Sequence, residues 1–188
     1  KNIKKYKSLC GVEVREQCIS YIKKKIKKIN IYNNINLVKN KVDIITMFHV
    51  LEHLPNQVDT LKSLKSKLRR GGKIIIEVPH AQDFLILQNN LKEFKNFTFW
   101  SEHLILHTQK SLRKILTKSG FRNIKFQYYQ RYGFANHLGW FIERKPSMGK
   151  IYNNIFNKKL QKAYVDNLKQ LGQTDTLLVV ATNPSKNK

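Results

Sequence analysis

The sequence is poor in acidic residues, cysteine and long apolar stretches, and each shortage narrows what the protein can be. Its 188 residues include 12 Asp and Glu against 36 Lys and Arg, a formal net charge of +24. Cys10 and Cys18 lack the spacing of a zinc site, so we expect reduced, buried thiols. No apolar run approaches the roughly 20 residues that cross a bilayer, and no signal-peptide segment follows the basic N-terminus. These absences predict a cytoplasmic protein with no membrane partner.

The positive charge comes mainly from lysines that are spread along the chain. Only residues 23–25 and 27–28 form lysine runs, and both fall on one predicted helix. A surface that binds phosphates more often clusters arginine or interleaves aromatic with basic residues. We therefore interpret the charge as a solvated surface, and we expect nucleic acid not to be the partner.

Apolar periodicity predicts strands that alternate with helices. The predicted strands cover residues 9–13, 30–35, 42–48, 73–78, 123–129 and 176–181. Helices are predicted around residues 18–29, 57–68, 108–120 and 151–171. This alternation predicts an α/β fold, an open, mostly parallel sheet with an antiparallel last strand. The length predicts one domain over residues 1–188, with residues 130–175 as a helical insertion, or lid, between the last two strands.

Residues 42–79 carry an ordered set of motifs. Asp43 lies near the start of a β-branched strand, the string HVLEH occupies 49–53, and Gly71-Gly72 precede the next strand. This block resembles the central part of class I S-adenosylmethionine-dependent methyltransferases. The segment SLRKILTKSGFRNI (111–124) resembles that family's next helix and strand, and GVEVREQ (11–17) resembles its second strand.

The resemblance implies a doubly wound, Rossmann-like fold with strand order 3-2-1-4-5-7-6. S-adenosylmethionine, the implied cofactor, would lie across the carboxyl ends of strands 1 and 4. The family's first strand and glycine-rich turn should precede Gly11 by about 20 residues, but only residues 1–10, without glycine, stand there. We therefore expect a chain truncated at its N-terminus, a sheet that lacks strand 1, and weak cofactor binding.

Four residues are implied to bind this cofactor: Glu13, Asn34, Phe48 and His49. Glu13 ends a strand and can accept hydrogen bonds from both ribose hydroxyls, while Asn34 falls where the family contacts the adenine amino group. Phe48 and His49 would lie beneath the sulfonium, which an aromatic face attracts. The alternatives are a helix-capping acid at 13 and a simple turn residue at 34.

Methyl transfer to a hydroxyl needs alignment, exclusion of water and removal of a proton. Histidine is the natural base near neutral pH, and the candidates are His49, His53, His103 and His107. For each of them a packed, structural imidazole is the alternative. His49 and His53 also complete the H-x-x-E-H string of inverted zinc peptidases, where a continuous helix carries it. Because a strand leads directly into the string and Pro55 follows it, we predict no metal.

Aromatic rings beside planar hydrogen-bond donors indicate an acceptor site. Such groups suit a sugar or a phosphorylated small molecule, and the alternative is a helical hairpin that covers a sheet edge. The candidate substrate-binding residues are Trp100, Glu102, Arg131, Tyr132, Asn136, His137 and Trp140.

The resemblance and these residues predict an enzyme that methylates a small molecule or sugar, at oxygen. An RNA methyltransferase is an alternative that only the charge favours. The family's nucleic-acid enzymes carry an NPPY-like motif after strand four, where this chain has FHVL (48–51). A third alternative is a non-catalytic binding protein that retains the fold. The sequence leaves the acceptor atom and the oligomeric state open.

Overall fold

A computed structural model describes residues 6–185, so the ends of the predicted domain, 1–5 and 186–188, lie outside the described part. The strands are β1 (Cys10–Val12), β2 (Asn30–Tyr32), β3 (Val42–Phe48), β4 (Leu68–Pro79), β5 (Arg122–Tyr129) and β6 (Thr176–Thr182). The α-helices are α1 (Glu16–Lys25), α2 (Gln57–Lys67), α3 (Phe84–Leu87), α4 (Lys92–Thr98), α5 (Gln109–Lys118), α6 (Phe134–Glu143) and α7 (Lys158–Leu171). Short 3-10 segments lie at Ile35–Leu37, Leu51–His53 and Met148–Ile155. No helix within residues 6–185 is both long and apolar enough to cross a membrane.

The strands form two sheets. The larger one has the order β3-β4-β6-β5, and the smaller one pairs β1 with β2 in parallel. β3 runs parallel to β4, whereas β6 is antiparallel to both of its neighbours. The α/β fold and the antiparallel last strand are therefore confirmed. Over residues 6–185 no strand lies between β1 and β3, where the order 3-2-1-4-5-7-6 places strand 1.

One core lies on the larger sheet. Its centre is formed by apolar residues of β4, among them Ile74, Ile76 and Val78, each with 0% exposure. Helices α2 and α5 pack beside each other on this core, because their apolar residues recur at helical spacing. A second cluster, around Leu85 and Trp140, joins α3 and α4 to α6.

An apolar, β-branched run such as Val42–Phe48 is typical of a buried parallel strand, but β3 is largely exposed. Ile44 and Phe48 are 58% and 52% exposed, because β4 flanks β3 on one side only within the described chain. The cysteines also differ from expectation: Cys10 and Cys18 are free thiols, but both are half-buried.

The sequence predicts a strand over residues 73–78 with Gly71-Gly72 ahead of it, but the observed strand includes both glycines. β4 already begins at Leu68, and Arg69 Nη1 lies 2.8 Å from both carboxylate oxygens of Asp43 on β3. Gly71 adopts φ +76, and a Cβ at Gly72 would lie 2.8 Å from the carbonyl oxygen of Arg69. The two glycines therefore permit a kink inside the strand.

The helix bounds differ from the predictions at two places. α1 ends at Lys25, so Ile29 follows the helix and packs near Gly11 of β1. The insertion contains three helical segments in place of the single one predicted from 151 to 171. In contrast, Thr108 caps α5 as predicted, with its hydroxyl accepting from Ser111 N at 3.1 Å.

Candidate active site

The carboxyl ends of β3 and β4 bring an imidazole and a carboxylate together. His49 follows β3 with φ +52, and its Nε2 lies 3.0 Å from Oε1 of Glu77 on β4. Arg131, which follows β5, contacts the same imidazole nitrogen and lies 3.7 Å from Glu77 Oε1. Since both strands are parallel, their ends meet at one edge of the sheet. The side chains of His49, Glu77 and Arg131 therefore converge at this edge from distant parts of the chain.

The other nitrogen of His49 also faces a carboxylate. Its Nδ1 lies 3.4 Å from Oε1 of Glu52. The adjacent Glu52 carboxylate raises the pKa of His49, while burial and the Arg131 charge act in the opposite direction. With carboxylates beside both ring nitrogens, the net effect is a pKa of His49 above its ordinary value.

His49 and His53, the two histidines of the H-x-x-E-H string, do not lie on one helix. Only Leu51–His53 is helical, as a single 3-10 turn, because the chain leaves β3 through the left-handed backbone of His49. Both imidazoles nevertheless approach Glu52, with His53 Nε2 3.8 Å from its Oε1. The continuous helix of a zinc peptidase is not formed.

His53 and His103 lie side by side, with ring centroids 5.0 Å apart. His53 Nδ1 lies 2.6 Å from the carbonyl oxygen of Glu102, and His103 Nδ1 lies 2.7 Å from that of Thr98. A carbonyl oxygen can only accept, so each Nδ1 carries a hydrogen, and in the neutral ring the lone pair is then on Nε2.

His107 has the structural role that was weighed as its alternative. It is 1% exposed, with Nε2 2.8 Å from Gln57 Oε1 and Nδ1 3.2 Å from Ser111 Oγ. Burial lowers the pKa of this histidine. His107 therefore packs between α2 and α5, away from the cavity described next.

A cavity of about 1140 Å³ opens beside His49. The insertion forms much of its wall, together with α4 and the segment that follows it. Eight of the residues predicted for catalysis or binding line it: His49, Trp100, His103, Arg131, Tyr132, Asn136, His137 and Trp140. The remaining ones, Glu13, Asn34, Phe48, His53, Glu102 and His107, are not among its lining residues.

Asp175 positions two residues of the cavity wall. Its carboxylate accepts hydrogen bonds from the backbone nitrogens of Arg131 and Tyr132, at 3.0–3.1 Å. Gln130 strengthens the same junction, since its Oε1 accepts from Asp175 N at 3.0 Å. Burial raises the pKa of Asp175, against the hydrogen bonds that it accepts. The two ends of the insertion are thus bonded to each other.

His137 is a neutral, packed imidazole of the cavity wall. It stacks on Phe84 with an interplanar angle of 4°, and its Nδ1 lies 2.7 Å from the hydroxyl of Tyr164. Burial lowers the pKa of His137 to about 4. Gln130 Nε2 donates to His137 Nε2 at 3.2 Å. The ring of His137 is therefore unprotonated at neutral pH.

Two residues at the expected cofactor site have suitable chemistry. A backbone hydrogen bond from Arg15 lowers the pKa of Glu13, so this carboxyl is ionised at neutral pH. Phe48 presents a half-exposed ring. A carboxylate suits ribose hydroxyls and an aromatic ring suits a sulfonium. Asn34 instead uses its Oδ1 to accept from Asn36 N at 2.9 Å, as the turn alternative expected.

Sequence reasoning missed several carboxylates of the site. Glu77 was read only as part of a strand, although a lone acid near the end of an apolar strand is a usable signal. The sequence around Asp175 and Asp83 carries no such signal. Their partners are backbone groups or residues far away in the chain. Asp83 caps α3, and burial raises its pKa to about 7.

Solved structures of methyltransferases share this fold. An S-adenosylmethionine-dependent methyltransferase from Archaeoglobus fulgidus matches with a TM-score of 0.57 and 20% identity, over 92% of this chain and 75% of that one. A Thermotoga maritima protein described as a possible histamine N-methyltransferase gives 0.58 and 15%, over 93% and 72%. Phosphoethanolamine N-methyltransferase 2 from Haemonchus contortus, in complex with S-adenosyl-L-methionine, gives 0.53 and 15%, over 94% and 43%. The fold is therefore that of the Rossmann-like class I methyltransferases.

A family model described as a methyltransferase domain matches residues 3–125. The chain belongs to this methyltransferase family, as the HVLEH block and its flanking strands implied. The match covers β1 to β4 and most of the core, but ends before the insertion. None of the curated proteins matches the sequence.

Proposed function

We propose that this methyltransferase transfers the methyl group of S-adenosylmethionine to a hydroxyl oxygen of a small molecule or sugar. The observation that carries the proposal is the cavity of about 1140 Å³ beside His49, at the carboxyl end of β3. Small-molecule sites are concave, mostly apolar and provided with a few polar groups. A cavity of this kind encloses a compact acceptor and keeps water from the reaction.

The cofactor is S-adenosylmethionine, which supplies an electrophilic methyl group on a positively charged sulfur. Glu13 and Phe48 are the residues that would hold its ribose and sulfonium. Glu13 directly follows β1, and Phe48 is the last residue of β3. In Rossmann-like sheets this cofactor binds at the carboxyl ends of such strands. Their chemistry supports the assignment, as an ionised carboxylate and an exposed ring.

The cavity wall offers groups for a polar acceptor with flat or cyclic parts. Trp100 and Tyr132 are 46% and 54% exposed, so their rings can stack on a sugar or an aromatic ring. Asn136 supplies both a donor and an acceptor, and Arg131 supplies a planar cation for a phosphate or carboxylate. These features favour a sugar, and among sugars a nucleotide-linked one.

An imidazole that lines the cavity acts as the base that removes the proton of the acceptor hydroxyl. Of the four candidates, His49 and His103 line it, whereas His107 is enclosed between helices. The dominant contribution of the site is alignment of the hydroxyl with the methyl group, because in-line geometry alone lowers the barrier by several kcal/mol.

The test begins with calorimetric titration of S-adenosylmethionine into the protein, for which we expect saturable binding. Methyl-labelled cofactor is then incubated with nucleotide-linked sugars, small phenols and RNA in parallel. We expect label in a small hydroxyl compound. Asn136→Ala should raise KM for that compound by about tenfold and leave the cofactor Kd unchanged, since one hydrogen bond is lost.

Asn56→Ala is the matched control, because Asn56 is exposed, precedes α2 and does not line the cavity. It should behave as the wild type. Label found only in RNA, with a binding that weakens steeply with salt, would refute the acceptor class. Equal kinetics of the two asparagine variants would refute the assigned cavity.

A further inference from the structure

A carboxylate and two imidazoles converge just after β3, outside the contacts used so far for acceptor binding. One ligand atom each from Glu52, His53 and His103 lies within 4.8 Å of the other two. We propose that these three residues bind a divalent transition-metal ion such as Zn²⁺. The proposal goes beyond the methyl-transfer function and does not depend on which acceptor is used. A bound ion would occupy His103, which leaves His49 as the cavity-lining imidazole that would take the proton of the acceptor.

The first argument is the state of Glu52. Its side chain is 0% exposed, and neither carboxylate oxygen has a hydrogen-bond partner among the described residues. A buried carboxylate without hydrogen bonds is costly, and a bound cation is a usual way to satisfy it. The residue is held firmly, because its carbonyl oxygen accepts from Leu104 N at 3.0 Å and Ile105 N at 3.3 Å. The carboxylate is therefore fixed in place beside the two histidines.

The second argument is the orientation of the imidazoles. The Nδ1 atoms of His53 and His103 donate to the carbonyl oxygens of Glu102 and Thr98. In the neutral ring this arrangement places the unshared electron pair on Nε2. Metal-binding histidines typically show this pattern, with one ring nitrogen on the metal and the other donating to a carbonyl or carboxylate. Both histidines thus have the tautomer that a metal ion needs.

The donor set indicates the kind of ion. Two imidazole nitrogens and one carboxylate suit Zn²⁺, Co²⁺ or Fe²⁺, whereas Ca²⁺ and Mg²⁺ prefer oxygen ligands. Three protein ligands are the number found in metal sites that keep a position for water or another ligand. His103 also lines the cavity, so such a position would be reached from there.

His49 is the group that competes with a metal ion for Glu52. Its Nδ1 lies 3.4 Å from Glu52 Oε1, so a protonated His49 partly balances the carboxylate. His107 is a further imidazole near this carboxylate, but its Nε2 is directed to Gln57. The proposed site also differs from that of an inverted zinc peptidase, in which both histidines of the H-x-x-E-H string are ligands.

The experiment uses protein without an affinity tag, freed of metal with a chelator. Calorimetry with ZnCl₂ and absorption spectra with CoCl₂ measure the stoichiometry and the ligand field. We expect one equivalent to bind to the wild type. His53→Ala and His103→Gln should each weaken the Kd at least about tenfold. His103→Gln keeps a side-chain N–H for the Thr98 carbonyl, so the local fold is preserved.

Glu102→Gln is the control, since Glu102 is an exposed acid that is adjacent to His103 and not one of the three ligands. It should bind Zn²⁺ as the wild type does, and circular dichroism confirms that each variant is folded. Should a variant fail to fold, the cobalt spectrum of the wild type, which distinguishes imidazole from water ligands, decides instead. Absence of binding by the wild type, or equal affinity of the wild type and folded His103→Gln, would overturn the proposal.

Discussion

Asp83 is a buried acid whose replacement should stabilise the protein in a pH-dependent manner. It is 5% exposed and caps α3, with its Oδ1 accepting from Leu85 N at 2.8 Å. Burial raises its pKa from 3.8 to about 7, and the nearby charge of Asp175 acts in the same direction. Asn at this position keeps the capping oxygen and removes the charge. Asp83→Asn is therefore a clean test of that charge.

The direction of this pH dependence follows from proton binding by Asp83 in the folded and unfolded states. Between pH 3.8 and about 7 the folded protein holds the Asp83 proton while the unfolded chain has lost it. Stability of the wild type must then fall as the pH rises through this window. Relative to the wild type, Asp83→Asn should gain about 1.5 kcal/mol at pH 5 and about 4 kcal/mol at pH 8.

Urea denaturation followed by circular dichroism at pH 5, 6, 7 and 8 measures this gain. The comparison cancels the titrating groups that do not interact with Asp83, because both proteins share them. Asp175 does interact with Asp83, so the measured difference includes the effect of Asp83 on that carboxyl. Asp59→Asn is the control, since the Asp59 side chain is 78% exposed on α2, and it should show no such trend with pH. A constant difference between Asp83→Asn and the wild type from pH 5 to 8 would show that Asp83 is ionised in the folded protein and would refute the reasoning.

Three further predictions concern single side chains. Thr108→Ala removes the hydroxyl that accepts from the first turn of α5 and should cost about 1 kcal/mol in urea denaturation, whereas Thr60→Ala, in the middle of α2, should cost less. Ile76→Ala, at a fully buried position of β4, should cost about 2–5 kcal/mol, and Ile76→Val should cost about 1 kcal/mol. Because burial lowers the pKa of His137 to about 4, its imidazole NMR signals should show no protonation down to pH 5. This histidine should thus lower stability as the pH falls from 6.5 towards 4; titration near 6.5 would contradict the packing.

The strands of the larger sheet could be predicted from sequence because local chemistry determines them. β3 was predicted with its observed bounds, since its β-branched run begins after a polar turn and ends at the HVLEH string. Its exposure could not be predicted in the same way. Burial of a strand depends on which strand lies beside it, and this is a property of the whole sheet.

Helix α6 was not predicted as a separate helix, and its sequence gives a weak helix signal. Gly139 lies within it and Phe134, Trp140 and Phe141 are aromatic, and both residue types have low helix propensity. The sequence predicts a helical insertion over residues 130–175 with aromatic and amide groups near its start, and several of these line the cavity. The types of residue at the site were thus foreseeable, but the helix that presents them was not.

The contacts that organise the site join residues far apart in the chain. Glu77 meets His49 across 28 positions, and Asp175 meets Arg131 across 44. Pairs so far apart cannot be predicted from a single sequence, whereas the HVLEH string is a continuous motif and could be recognised. This difference explains why the family was clear from the sequence while most of the site's carboxylates were not.

The insertion is bonded at its two ends and closely packed at its far side. Gln130 and Asp175 hydrogen-bond to each other where it begins and ends, beside β5 and β6. At its far side, a Cβ on Gly139 would lie 2.6 Å from the backbone nitrogen of Gly149, so the glycine pair lets α6 meet the 3-10 segment at backbone contact. Asn136 lies one turn before Gly139 on the same helix. Its amide is therefore held by two backbone-level constraints, which is how rigid elements position a binding group. The acceptor specificity of this protein should then depend on the side chains of the cavity wall, because the backbone of the insertion keeps the same position.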